Sequence, residues 1–188
     1  MGISKTEYTG ELLMATCPTV LLTTKKDIDN VLTVSWAGIA SSHPEYVTVA
    51  INPKRFSHRT IIDTKKFCIN IPNSDLLREV DFCGSFSGKD IDKFEACSFK
   101  KQYYKSDYVL IEQCKMHLIC TVESIVNLGS HDLFIARVEK KLIDSSIVDI
   151  HESLDPIIYS RPNYYKIQKE CIGYYGFTED KAQFPSDQ

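Results

Sequence analysis

The sequence lacks the features by which several functional classes are recognised. No apolar run approaches the ~20 residues that span a bilayer. The opening Met1-Gly2-Ile3-Ser4-Lys5 does not lead from a positive cluster into an apolar stretch, as a secretory signal does. A cytoplasmic protein without a membrane partner is expected. Positive charge is in slight deficit, with 22 Lys and Arg against 25 Asp and Glu and a net charge of -3. Nucleic-acid binders carry a basic face, so no nucleic acid is expected. Cysteine occurs seven times, an odd number, and no pair is spaced C-x-x-C. That disfavours zinc, iron–sulfur and thioredoxin-type sites, so no metal is expected, and reduced, mostly buried thiols are the better account. Glycine occurs only eight times. No Gly-x-Gly-x-x-Gly follows a strand, which removes a separate Rossmann-type dinucleotide site.

What is present is a core. Hydrophobic residues make up 43% of 188, with 10 Tyr and 9 Phe, enough for one domain spanning residues 1–188. Its core is expected over about residues 18–177, with a polar tail after Phe177 that frays. The dominant hydrophobic period is two, the mark of strands. Strands are predicted at Thr19 to Thr24, Val31 to Gly38, Tyr46 to Ile51, Phe67 to Ile71, Met116 to Val126, Leu133 to Leu142 and Ile157 to Tyr159. In Val31 to Gly38, alternation puts Leu32, Val34 and Trp36 on one face and Thr33, Ser35 and Ala37 on the other. Short helices are predicted from about Ser57 to Thr64 and from a Ser74 cap to about Phe82, with a helical turn over Asp90 to Ala96. Many strands and few short helices imply a mainly β protein, a barrel closed on itself.

Four constellations carry candidate chemistry. The small, polar face of Thr33, Ser35 and Ala37 suits the edge of a flat ligand, although alternation alone favours the solvent face of an amphipathic strand. Asn52-Pro53-Lys54-Arg55-Phe56-Ser57-His58-Arg59-Thr60 opens a helix. A helix N-terminus offers unpaired N–H groups to phosphate. Arg55 adds a bidentate donor, and Ser57 and Thr60 add hydroxyls; an ordinary capped helix is the competing account. The loop Cys83-Gly84-Ser85-Phe86-Ser87-Gly88-Lys89, with Lys93 beyond it, allows close backbone approach. It is not a Walker A loop, because Asp90 follows Lys89. Cys83 is the one thiol in a Gly/Ser-rich setting, which suggests exposure. Cys114 and Cys120 share a face with Met116 and Leu118 and read as core. His131, in Gly129-Ser130-His131-Asp132, is placed to donate a proton or merely to satisfy a local hydrogen bond.

In this order and spacing the pieces resemble the flavin reductase-like family of FMN-binding split barrels, specifically its flavoredoxin-like branch. The matching stretches are residues 30–38, 52–57, 67–72, 81–84, 87–88, 92–94 and 128–132, and the closing Ile172-Gly173-Tyr174-Tyr175-Gly176-Phe177. The resemblance implies a Greek-key-like antiparallel split barrel, a homodimer and non-covalently bound FMN, with NAD(P)H as a possible electron donor. It implies that Thr33, Val34, Ser35 and Trp36 lie along the isoalloxazine or ribityl chain, and that Asn52, Arg55, Ser57 and Thr60 serve the ribityl and phosphate end. It implies that Cys83, Gly84, Ser87, Lys89 and Lys93 belong to a loop closing over the flavin, and that His131, the candidate catalytic residue, stands near the flavin face or the nicotinamide. The chain departs from the resemblance after Phe94, where Glu95-Ala96-Cys97-Ser98-Phe99 and the polar, aromatic Lys100 to Tyr104 stand instead of a Gly-Leu pair. Three activities are compatible with it: a flavin or ferric-complex reductase, an electron carrier without NAD(P)H turnover, and a non-catalytic FMN-binding module.

Overall fold

The computed structural model describes residues 14, 16–147, 149 and 153–168. Its strands are β1 Cys17–Pro18, β2 Val20–Thr24, β3 Asn30–Val34, β4 Ala37–Ser42, β5 Glu45–Ile51, β6 Lys66–Ile71, β7 Lys101–Tyr104, β8 Tyr108–Ile111, β9 Met116–Asn127, β10 Asp132–Ile143, β11 Ile157–Ser160 and β12 Asn163–Lys166. Among the described residues lie the helices α1 Phe56–Thr64, α2 Leu77–Ser85 and α3 Lys93–Ala96. None of the helices among the described residues is long and apolar enough to cross a membrane.

Seven strands form one sheet in the order β3-β2-β6-β9-β10-β5-β4, every pair antiparallel. The two edge strands, β3 and β4, are consecutive in the chain, with only Ser35 and Trp36 between them. Three Cα steps reach at most about 11 Å. The edges of the sheet therefore meet at that corner, and the sheet must curl into a barrel. The β4–β5 ladder extends into this corner, where the Ala50 N–H bonds the Trp36 carbonyl at 2.9 Å.

Side-chain alternation fills this barrel. Val20 and Leu22, Leu32 and Val34, Val47, Val49 and Ile51, Phe67 and Ile69, Cys120 and Val122, and Phe134 and Ala136 all point inward and are buried together with Ile61 of α1. The residues between them face outward. There Leu21 and Val31 pack under Val80 and Cys83 of α2, Phe94 of α3, and Val109 and Ile111 of β8. The barrel thus has a second apolar layer, which explains how so many large side chains are accommodated.

The mainly β antiparallel barrel read from the period-two pattern is what the chain forms, and several local expectations are corrected. Val31 to Gly38 is two strands, β3 and β4, because the chain turns at Ser35 and Trp36 to pair with β5 instead of running straight. Trp36 accordingly leaves the Leu32–Val34 face and is 52% exposed. The helix expected to end near Phe82 continues through Cys83, Gly84 and Ser85, and Ser74 starts a 3-10 turn and bonds the Asp155 carboxylate instead of capping. The pair β7–β8 had no period-two signal strong enough to reveal it. Cys114 and Cys120 are both buried, as expected of core residues, but in different layers. Ile172 to Phe177 and the tail lie outside the described residues.

Candidate functional site

The seam of the barrel opens into a cleft of about 500 Å³. One wall is the β3–β4 corner, Leu32 to Trp36; the other is the end of β5, Ala50 and Ile51, with Asn52, Lys54 and Arg55 beyond it and His131 across from them. The sheet register explains the meeting. Asp132 of β10 opposes Ile51 of β5, so one step further His131 and Asn52 leave the two strand ends side by side.

Asn52 shapes the next turn. Its side-chain oxygen accepts from the Lys54 N–H at 2.9 Å and its carbonyl from the Arg55 N–H at 2.9 Å. This is the Asx-turn geometry that Asn followed by Pro favours. The turn delivers the chain into α1, whose first turn has no side-chain cap. Helix N–H groups and their dipole therefore face the same region as the Lys54 and Arg55 side chains. Arg55 donates from Nη1 to the Gly84 carbonyl at 3.0 Å. A guanidinium carries five donors, so this bond orients the fork and leaves most of it for a ligand. Both formally charged residues of the cleft lining are cationic, and no carboxylate lines it. The cleft suits an anion.

The cleft also carries an aromatic pair. The Trp36 and His131 rings lie 4.5 Å apart, tilted by 47°. Burial, then the nearby Arg55 charge, holds the His131 pKa below its usual 6.5. The imidazole is therefore neutral at neutral pH, able to donate or accept a proton. Its Nδ1 is 3.0 Å from the Ser130 hydroxyl.

Of the residues singled out in the sequence, Thr33, Val34, Ser35, Trp36, Asn52, Arg55 and His131 come together in this cleft. The others lie outside its lining. Ser57 is fully buried, its hydroxyl accepting from Asn30 Nδ2 at 2.8 Å and from the Thr24 hydroxyl at 3.4 Å. Thr60 lies in α1, a turn further from the cleft. Gly84 borders the cleft through its backbone, and α2 passes so close to β3 that an added Cβ would lie 3.3 Å from Thr33 Cβ. Ser87 and Lys89 are exposed and bonded to each other.

Two expectations are overturned. Cys83 is not an exposed loop thiol: it is 0% exposed in α2, and burial pushes its pKa far up. Lys93 is not a loop cation: it is 2% exposed, donating to the Val31 carbonyl at 2.9 Å and the Cys83 carbonyl at 2.7 Å. Its amine ties α3 and α2 to β3. The Thr33 hydroxyl likewise bonds the Val80 carbonyl, so the face of Thr33, Ser35 and Ala37 is no continuous polar surface. Lys54, Leu32, Ala50 and Ile51 line the cleft unanticipated. Lys54 sat inside the quoted helix-opening stretch and was legible there; the apolar three looked like any strand residue.

Residues 13–168 match the sequence profile of the flavin reductase like domain. The chain belongs to that family. An uncharacterised protein of Archaeoglobus fulgidus is 31% identical over 121 residues, covering 64% of this chain and 68% of that protein. Among solved structures, a flavoredoxin from Methanosarcina acetivorans superposes with a TM-score of 0.87 at 18% identity, covering 95% of this chain and 99% of that one. An FMN-binding protein from Thermus thermophilus, with bound 1-cyclohex-2-enone, superposes with a TM-score of 0.79 at 18% identity, covering 93% and 99%. These likenesses show the flavin reductase-like split barrel. The cleft fits the family's ligand chemistry on its own terms: a cationic end beside an uncapped helix start for a phosphate, and an aromatic end for a flat ring.

Proposed function

We propose that this chain binds FMN non-covalently in the seam cleft and acts as a flavin reductase drawing on NAD(P)H. The observation that carries the reading is the cleft lining, in which both charged side chains, Lys54 and Arg55, are cationic and flank an uncapped helix start, with the Trp36–His131 pair in the same cleft. Bound FMN would supply the redox chemistry, taking two electrons from a donor and passing them to an acceptor.

The protein's part is binding and orientation. Arg55, Lys54 and the α1 N–H groups hold the phosphate. Asn52 borders the ribityl chain. The backbone of Val34 to Trp36 is the edge against which the ring system rests, and Trp36 walls it from solvent. Neutral His131 supplies or accepts a proton at its Nε2 while Ser130 orients Nδ1. The donor has no Rossmann unit of its own in this sequence and must bind beside the flavin. A homodimer is part of this proposal, supported by the exposed apolar edge of β4, where Ile39 is 86% exposed.

The test is a titration of flavin-free protein with FMN, followed by anaerobic addition of NADH and NADPH. FMN fluorescence should be quenched on binding and the melting temperature should rise. Loss of the bound flavin's absorbance on adding either nicotinamide supports the reductase. The absence of both quenching and a thermal shift refutes the binding site. The exposure of Trp36 at the cleft mouth favours a second reading, an electron carrier: bound flavin then bleaches with a reduced ferredoxin-type donor and ignores both nicotinamides. Light scattering after size exclusion tests the dimer, and a monomer mass refutes it.

A further inference from the structure

Beside the cleft, but not lining it, lies a hydrogen-bonded His–Asp pair that the function above does not use. His58 Nε2, in the first turn of α1, is 2.7 Å from an Asp132 carboxylate oxygen in β10. Both side chains are largely buried, at 12% and 13% exposure. The other Asp132 oxygen accepts from Asn127 Nδ2 at 2.7 Å. The Asn127 side-chain oxygen in turn accepts from the Gly129 N–H at 3.2 Å, and the Leu128 N–H bonds the His131 carbonyl at 3.0 Å. The edge of the His58 ring meets Phe134, centroids 5.4 Å apart, which fixes its plane. The hydrogen bond with His58, and after it the one from Asn127, holds the Asp132 carboxyl below its usual range, so it is ionised.

The connectivity gives this pair a consequence. His58 stands three residues after Arg55, and its N–H bonds the Arg55 carbonyl at 3.0 Å. Asp132 immediately follows His131. One hydrogen bond therefore ties the turn that presents Arg55 to the turn that presents His131. The remaining ties of that helix turn run elsewhere, Arg55 to α2 and Ser57 to the β2–β3 hairpin. Only the His58 bond among these reaches β10.

We propose that His58 and Asp132 are positioning residues that set the separation between the phosphate end and the His131 end of the cleft. The inference rests on the FMN reading for its ligand, but its first readout does not. Trp36 is the single tryptophan of the chain and lies against His131. Its fluorescence reports where His131 stands with no flavin present.

The experiment compares wild type, His58→Ala, His58→Gln and Asp132→Asn, each checked for native circular dichroism. Gln keeps a donor near the His Nε2 position, so it should retain the clamp. His58→Ala should change Trp36 emission in the flavin-free protein, and His58→Gln should restore it. With flavins added, His58→Ala should lower FMN affinity about tenfold more than riboflavin affinity, the size of one lost charge-assisted hydrogen bond. Asp132→Asn, which keeps the shape and removes the charge, should fall between. A folded His58→Ala protein with unchanged Trp36 emission and an unchanged FMN-to-riboflavin ratio overturns the proposal. Should His58→Ala fail to fold, a His58→Gln protein with altered emission overturns it equally. A wild-type protein that binds neither flavin refutes the function proposed above, while Trp36 emission still decides the clamp.

Discussion

Arg55→Ala separates a phosphate-binding arginine from a structural one. The side chain is exposed, and among the described residues it donates to the Gly84 carbonyl. Losing that bond costs about 0.5–1.5 kcal/mol of stability, since water replaces much of it. A hydrogen bond to a charged group is worth about 1.5–3 kcal/mol. At about 1.4 kcal/mol per decade, FMN affinity should fall roughly 10- to 150-fold. Riboflavin has the same ring and ribityl chain without the phosphate, so its affinity should change less than about threefold, within the weaker neutral-contact range. Fluorescence-quenching titrations with both flavins at one ionic strength measure the ratio directly. The same variant carries an internal check. Arg55 is one of the two causes that hold the His131 pKa down; removing the positive charge should raise that pKa towards 6.5, visible as a shifted imidazole NMR titration. Equal losses for FMN and riboflavin would remove Arg55 from the phosphate role.

Three further outcomes test the packing. His117 is 6% exposed, bonded to Asn70 at 2.9 Å, and burial drops its pKa from 6.5 to about 4. The unfolded chain therefore binds the extra proton first, so stability should fall as pH drops from about 6.5 towards 4, by on the order of 3 kcal/mol; urea melts at pH 7 and 4.5 measure it, and His117→Gln should flatten the slope. Gly88→Ala would place a Cβ 1.9 Å from the Asn30 side-chain oxygen. Asn30 is buried and donates to Ser57 at 2.8 Å, so the variant should lose about 1–3 kcal/mol, and an unchanged melting temperature would refute the close approach. Native Cys83 should resist alkylation at pH 8, because it is buried with its thiol pKa pushed far up, while half-buried Cys17 and Cys97 react earlier; mass mapping of the labelled peptides decides.

The sequence by itself determined the local period and the chemistry of short segments. Alternation in Val47 to Ile51 was legible because a strand buried on one face repeats every two residues, whereas Val20 to Thr24, buried on both faces, reads as a strand without alternating. The cationic helix start was legible because Asn52, Pro53, Lys54 and Arg55 act through the chain they stand in. Contacts between distant segments were not. Nothing in Val31 to Gly38 signals that the strand must turn at Ser35, since the reason lies in β5, the strand that β4 pairs with. Lys93 reads as a loop cation until two carbonyls, from Val31 and Cys83, close around its amine. His58 and Asp132, 74 residues apart, meet because β10 is registered against β5. Only the tertiary structure decided these, for a physical reason: burial and hydrogen-bond partnership belong to pairs of residues, and folding alone chooses the pairs.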